Sequence, residues 1–250
     1  MQTTQLDSGL PESSAPVKPQ SGELNPGPGF RLRQTIERPD PKVVEAFGRF
    51  ETALISDMMN RLYTMCSAIH CVTGSDGRIL GPACTVKVFP GDNLMVHKAL
   101  DIARPGDIVV VDASSSSLNG VLGDLVSTKA RHRGIAGFIV DGLVRDLERI
   151  VALGDFPVFA RGVTPIGPLH RGPGEINFPI SAGGIVVKPG DIVYGDIDGV
   201  VVIPREEAED LLRRVTVKAE AEADYVAAVA KGNFSNAWVD RILREADLSY

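Results

Sequence analysis

Residues 122–146 read LGDLVSTKARHRGIAGFIVDGLVRD, and the fold class follows from them. A helix is predicted to run out from Gly123-Asp124 and to break at Gly134, before an apolar strand over residues 135–140 and a turn ending in Arg145-Asp146. In an α/β layout, a helix that leaves the carboxyl edge of one strand is followed by a strand returning to the same edge. Asp124, Arg145 and Asp146 should therefore meet there, although twenty residues separate Asp124 from Arg145. Ligands of open α/β sheets bind at that edge. The helix start adds free N–H groups and a positive dipole end, which suit a carboxylate or phosphate. An Arg next to an Asp, with a second Asp nearby, can hold a metal-bound anion: the carboxylate is a hard ligand for Mg²⁺ or Mn²⁺, and the guanidinium grips a second oxygen. The bland alternative for the same residues is a surface ion pair at a strand end.

Composition narrows the class. A chain of 250 residues, 44% hydrophobic and 23% charged, is a globular protein with room for one core and extensions. A net charge of −6 argues against a nucleic-acid partner, which calls for a basic face. Arg131, His132 and Arg133 do cluster, but where the helix from Gly123 should end and cations complement its dipole. The first thirty residues lack the basic start and apolar run of a secretory leader, and no apolar run reaches the ~18 residues that span a bilayer. A cytoplasmic protein without a membrane partner is the expectation. Cys66, Cys71 and Cys84 form no disulfide framework and are expected to be buried thiols; a zinc site of Cys66, Cys71 and His70 lacks a second ligand pair.

Along the chain, residues 1–30 are rich in Ser, Pro and Gly and should form a flexible arm. A catalytic α/β domain is expected over 31–204 and a helical extension, at a subunit interface, over 205–250. Asp40-Pro41 marks a helix start, and Ser56-Asp57 a second one carrying Met58, Met59 and Leu62 inward. A strand is predicted at 84–89, a helix from Asn93 to Ala103, and a helix over 146–154 with Leu147, Ile150 and Val151 buried. Residues 104–112, RPGDIVVVD, are echoed 84 positions later by KPGDIVYGD, which implies two similar turn–strand units in one sheet system. Strands are predicted at 157–160, 185–188, 192–194 and 200–203, with a Gly/Pro loop over 164–179. In that loop His170 and Arg171 read either as loop structure or as a second anion contact for a distal carboxylate. His97 and His70 read as core or boundary histidines. Lys87 falls on a solvated strand face and Lys129 off the face of Asp124, so a Schiff-base lysine is not expected.

The G-D-L-V start, the run R-G-I-A-G-F-I-V-D-G-L-V-R-D and the later P-V-F-A-R-G resemble one family over residues 47–204. It is the family of 4-hydroxy-4-methyl-2-oxoglutarate/4-carboxy-4-hydroxy-2-oxoadipate aldolases and regulator of ribonuclease activity A-like proteins. Its catalytic members carry an Asp, twenty residues, then Arg-Asp, and Asp124–Arg145–Asp146 matches without a gap. The resemblance implies a three-layer α/β/β sandwich like the swivelling phosphohistidine domain, assembled as a homotrimer or homohexamer. It implies a 2-oxo acid substrate, cleaved to pyruvate with Mg²⁺ or Mn²⁺, and oxaloacetate decarboxylation as a side activity. Asp146 would be the metal ligand, Arg145 would hold the keto or enolate oxygen, and Asp124 would govern the water that takes the hydroxyl proton. The amides of Gly123, Asp124, Leu125 and Val126 would receive the substrate carboxylate. Glu222 of a neighbouring subunit would complete the metal site. Other relatives are non-enzymatic regulators of a ribonuclease. A methyltransferase label is set aside, since no G-x-G-x-x-G follows a strand.

Overall fold

The computed structural model describes residues 24–74 and 77–248. The predicted arm lies outside the described residues over positions 1–23. In chain order come β1 (Phe30–Leu32), α1 (Pro41–Phe47), α2 (Thr52–Met58), β2 (His70–Cys71), β3 (Ile79–Val88), α3 (Leu94–Ile102), β4 (Ile108–Asp112) and α4 (Asp124–His132). They are followed by β5 (Gly137–Val144), α5 (Leu147–Val151), β6 (Val158–Val163), β7 (Gly174–Ile176), β8 (Ile180–Ala182), β9 (Ile185–Val187), β10 (Ile192–Asp196) and β11 (Gly199–Ile203). A 3-10 turn leads into the long α6 (Ala208–Ala230), and α7 (Ala237–Glu245) ends the described chain.

The main sheet has the order β1-β7-β3-β4-β5-β6-β2, and its centre β3-β4-β5-β6 is parallel, as expected for strands joined by helices. β3 is long enough to serve two sheets. Its first residues pair antiparallel with β10, which continues to β11, and its last ones pair with β4 and β7. The sequence echo is real in three dimensions, because both copies flank β3. Each turn has its glycine at φ +86° (Gly106 and Gly190), and each aspartate accepts the backbone N–H three residues back at 2.8 Å. Asp107 is also clamped by the Arg38 guanidinium at 2.6 and 2.8 Å. Asp191 accepts from Arg205 N–H instead, and burial pushes its carboxyl above the usual range.

Alternation along the strands sorts the apolar side chains into three cores. One face of the sheet, with Cys84, Val86, Val109, Val111, Phe138 and Val140, packs against Met95, Val96 and Ala99 of α3, Val126 and Ala130 of α4, and Ile150 of α5. The opposite face, with Ala83, Ile108, Val110, Ile139 and Phe159, packs on the layer of β8 to β11 through Ile180, Val187, Val193, Val200 and Val202. Beyond that layer Ile192, Tyr194, Val201 and Ile203 pack on Phe47, Ile55, Leu211 and Val215 of α1, α2 and α6. A helical layer thus lies outside the second β layer, one more than the sandwich expected from the resemblance.

Several predicted boundaries change. α1 starts at Pro41 as expected, with Asp40 accepting Lys42 N–H at 2.8 Å. Ser56-Asp57 does not start a helix: α2 begins at Thr52, where the buried Asp196 carboxylate accepts Thr52 N–H at 3.0 Å and its hydroxyl at 2.7 Å. Leu62 is 72% exposed rather than buried, and Val151 of α5 is also exposed. β3 begins five residues earlier than predicted, and β5 runs to Val144, so Arg145-Asp146 follow a strand directly. The Gly/Pro loop contains β7, paired with both β1 and β3. Among the cysteines, Cys84 is buried, whereas Cys66 is exposed and Cys71 half-buried. Among the described residues no helix is long and apolar enough to cross a membrane.

Candidate active site

The cleft forms where β4 and β5 end. After β4 the chain turns through a polar loop whose last residues, Val121 and Leu122, are buried, and enters α4 with Gly123 as the residue before its first turn. Leu122 O accepts Arg145 N–H at 2.9 Å, which draws the end of β5 against the start of α4. Around this junction a cleft of about 270 Å³ is lined by Asn93, His97, Leu122, Gly123, Asp124, Leu125, Val126, Lys129, Arg145, Asp146, Pro168 and His170. The three residues picked out by spacing thus converge in one place.

Two close approaches hold them. A Cβ on Gly123 would overlap Asp146 Oδ2, so only glycine lets the aspartate lie against the start of α4. A Cβ on Gly167 would overlap Arg145 Nη1, so the loop after β6 backs the guanidinium with bare main chain. Arg145 Nε–H donates to Asp146 Oδ2 at 2.9 Å, and both side chains remain about a third exposed, with 40% and 33% of their surface open. Asp146 adopts a left-handed backbone, φ +55°, which a short polar side chain tolerates and which aims its carboxylate back toward Gly123. Asp124 is more enclosed. Its Oδ1 accepts Leu125 N–H at 2.8 Å and its Oδ2 lies 3.3 Å from Arg149 Nη1. The Leu125 amide is therefore engaged, while no protein acceptor for the amides of Asp124 and Val126 is found among the described residues.

The other wall comes from α3 and the loop after β6. His170 Nδ1 lies 2.6 Å from Asn93 Oδ1, and the His97 ring stands edge-on to His170 with centroids 5.7 Å apart. The His97 pKa is lowered, first by burial and then by Lys129 and His170. Asp92 pins the loop by accepting Arg171 N–H at 2.6 Å and Gly172 N–H at 3.1 Å. Arg171 does not line the cleft; Lys129 does, although it stands off the face of Asp124 on α4. Asn93 and His97 were not picked out as site residues, since nothing local ties α3 to α4. Lys87 pairs with Asp112 at 3.4 Å outside the cleft. Glu222 is not among the cleft residues; it pairs with Lys218 along α6 at 2.7 Å. His70 is exposed, and among the described residues no three His, Cys, Asp or Glu side chains converge as a protein-built metal cage.

Fold and cleft together define a mixed α/β protein with a carboxyl-edge site suited to a small anion. The chain belongs to the RraA-like family: the family's sequence model, described as Aldolase/RraA, matches residues 52–202. It is similar to a Halalkalibacterium halodurans protein named "Putative 4-hydroxy-4-methyl-2-oxoglutarate aldolase", with 42% identity over 175 residues, 70% of this chain and 82% of that one. Among solved structures it resembles Streptomyces coelicolor RraAS2, described as an unusual member of the RNase ES inhibitor RraA protein family. The TM-score is 0.68 at 29% identity, over 75% of this chain and 97% of the other. A Geobacillus kaustophilus protein described as S-adenosylmethionine:2-dimethylmenaquinone methyltransferase superposes with a TM-score of 0.57 at 35% identity, over 62% and 95%.

Proposed function

We propose that this chain is a class II pyruvate aldolase, dependent on Mg²⁺ or Mn²⁺. It cleaves a 4-hydroxy-2-oxo di- or tricarboxylic acid to pyruvate and a second oxo acid, with oxaloacetate decarboxylation as a side activity. The observation that carries this reading is the convergence of Asp124, Arg145, Asp146 and the first turn of α4 on one cleft. The name of the Halalkalibacterium relative supports it.

The residues present fit the metal. Asp146 is one partly exposed carboxylate: its Oδ2 rests against Gly123 and pairs with Arg145, and no protein partner of its Oδ1 is found among the described residues. One or two carboxylates with water completing the shell is how Mg²⁺ is usually held. When bound, the ion supplies Lewis-acid polarisation of the 2-oxo group. The other roles belong to the chain. Open amides of α4 receive the substrate carboxylate at the positive end of the helix. Arg145, fixed by Asp146 and Gly167, stabilises negative charge on the keto oxygen as it becomes an enolate. Asp124 orients the water that removes the C4-hydroxyl proton. In this reading the protein works in the cytoplasm as a homotrimer or homohexamer, and Glu222 of a neighbour approaches Asp146. The comparison with the swivelling phosphohistidine domain belongs to the same reading.

A second reading, a protein-binding regulator of a ribonuclease, is favoured by the description of the Streptomyces relative. One experiment separates the two. A pyruvate aldolase must stabilise pyruvate enolate whichever bond is broken to reach it. Pyruvate methyl protons should therefore exchange with solvent in D₂O when Mg²⁺ is present, stop with EDTA, and resume when Mg²⁺ or Mn²⁺ is returned. Folded protein that leaves the methyl signal at the protein-free rate would refute the aldolase reading.

A further inference from the structure

His170 is held more firmly than its place on a Gly/Pro loop would suggest. The chain just before α3 grips the backbone on both sides of it. Leu169 N–H donates to Gly91 O at 2.7 Å, Leu169 O accepts Asn93 N–H at 3.0 Å, and Asp92 accepts Arg171 N–H at 2.6 Å. The imidazole lines the cleft and stays open to solvent. Its tautomer follows from two linked hydrogen bonds. Asn93 Nδ2–H donates to Val121 O at 2.9 Å, so the amide oxygen is the atom that faces His170 Nδ1 at 2.6 Å. Nδ1 therefore carries a proton, and Nε2 of the neutral ring keeps a lone pair.

The other polar groups of the cleft are less suited to moving a proton. Asp124 is engaged by Leu125 N–H and Arg149, and Asp146 by Arg145. Lysine and arginine side chains such as Lys129 and Arg145 offer donors and no lone pair. The His97 ring stands edge-on to His170 and has no hydrogen bond among the described residues to fix its tautomer. The reaction proposed above leaves one proton transfer without a partner. The water oriented by Asp124 takes the C4-hydroxyl proton, but the enolate left when the C3–C4 bond breaks must gain a proton at C3 to become pyruvate.

We infer that His170 is the catalytic acid–base group for C3, and that Asn93 positions it. The inference rests on the 2-oxo acid reading of the site. In cleavage the C3–C4 electron pair becomes the enolate, the imidazolium gives its Nε2 proton to C3, and the ring returns to the neutral form with Nδ1–H on Asn93. In pyruvate exchange the step runs backward. The Nε2 lone pair takes a methyl proton, the C–H pair moves into the enolate whose oxygen faces Arg145, and the imidazolium, having traded its proton with solvent, gives one back. Asn93 Oδ1 accepts from Nδ1–H in both forms of the ring, so the imidazole keeps its orientation through the cycle.

Two variants of the full chain test this by pyruvate exchange in D₂O with Mg²⁺. His170→Gln keeps an N–H for Asn93 but supplies no base, and His170→Ala leaves room for a base from solution. Both should lower the maximal exchange rate about a hundredfold, with the half-saturating pyruvate concentration changed less than about threefold. Imidazole added to His170→Ala should restore exchange in proportion to its concentration. A readout free of metal and turnover is the tautomer itself. The chain has four histidines, and in two-bond ¹H–¹⁵N spectra at a pH where the rings are neutral, the signals lost on substituting His170 should be those of an Nδ1–H ring. An Nε2–H ring there would overturn the inference. So would exchange within about a factor of two of wild type in either folded variant, a loss confined to half-saturation, or a loss that imidazole leaves untouched. Each of these leaves the aldolase reading standing on the wild-type exchange. If the wild type itself exchanges no pyruvate protons, the 2-oxo acid reading falls and takes this inference with it.

Discussion

The guanidinium of Arg145 is held from two sides, by the Asp146 carboxylate at Nε and by the bare backbone of Gly167 at Nη1. Arg145→Lys keeps the charge but loses the planar fork, and should cost roughly 2–4 kcal/mol of transition-state stabilisation, read as a drop in the rate of pyruvate exchange. A rate within a factor of two of wild type would leave the pair a structural ion pair. Gly167→Ala tests the same point from the other side. Its Cβ would displace Nη1, so exchange should fall at least tenfold, about 1.4 kcal/mol, with little change in melting temperature. Asp124, Arg145 and Asp146 were legible in the sequence because parallel βαβ topology brings those positions to one edge. Lys129 was not, because it lies roughly 140° around α4 from Asp124 at 3.6 residues per turn. It follows Val126 by three residues and Leu125 by four, and both line the cleft. Asn93 and His97 reach the cleft only through the packing of α3 beside α4, which no local pattern announces.

The two PGDIV turns show how identical sequence acquires different energetics. Asp107 is 1% exposed and is neutralised by Arg38, whose own side chain is only 17% exposed. Arg38→Ala would strand that carboxylate and should destabilise the fold by about 3–5 kcal/mol, measured by urea unfolding. A loss under 1 kcal/mol would show that water reaches Asp107 freely. Asp191 has its own hydrogen bonds and does not depend on Arg38. The echo itself was legible, as were the β-branched strands and the long α6. β7 was hidden because a three-residue strand is defined by the neighbours it pairs with, here β1 and β3, and not by its own composition. The start of α2 was misplaced for a similar reason: its cap is Asp196, a residue 144 positions away.

At the scale of the molecule, the three cores make the chain unequal in what it can lose. Val215 of α6 is fully buried against Phe47 and Ile55, so a truncation before it would open the third core. α7 buries nothing within the chain and leaves Trp238 and Ile242 half open. Removing residues 231–250 should therefore preserve the fold. In the oligomeric enzyme proposed above it should shift the molecule toward monomer, as read by light scattering behind a sizing column. An assembly of unchanged size would place the contacts elsewhere, with α6 next in line through its exposed Val217, Tyr225 and Val226.

The ladder between β5 and β6 breaks register between Val140 and Leu143, where Asp141 and Gly142 stand opposite the single Arg161. Twenty residues between Asp124 and Arg145 is therefore a count that includes one residue surplus to the pairing. A chain lacking Gly142 could restore one-to-one pairing and keep a continuous sheet. Leu143 and Val144 would keep Gly162 and Val163 as partners, but the bend and added twist that the surplus residue gives β5 just before Arg145 would be lost, and the guanidinium would be re-aimed. Such a deletion should give a protein that melts cooperatively and no longer exchanges pyruvate protons. By the same logic, lengthening the turn at residues 133–136 leaves the phase of β5 untouched and should be tolerated.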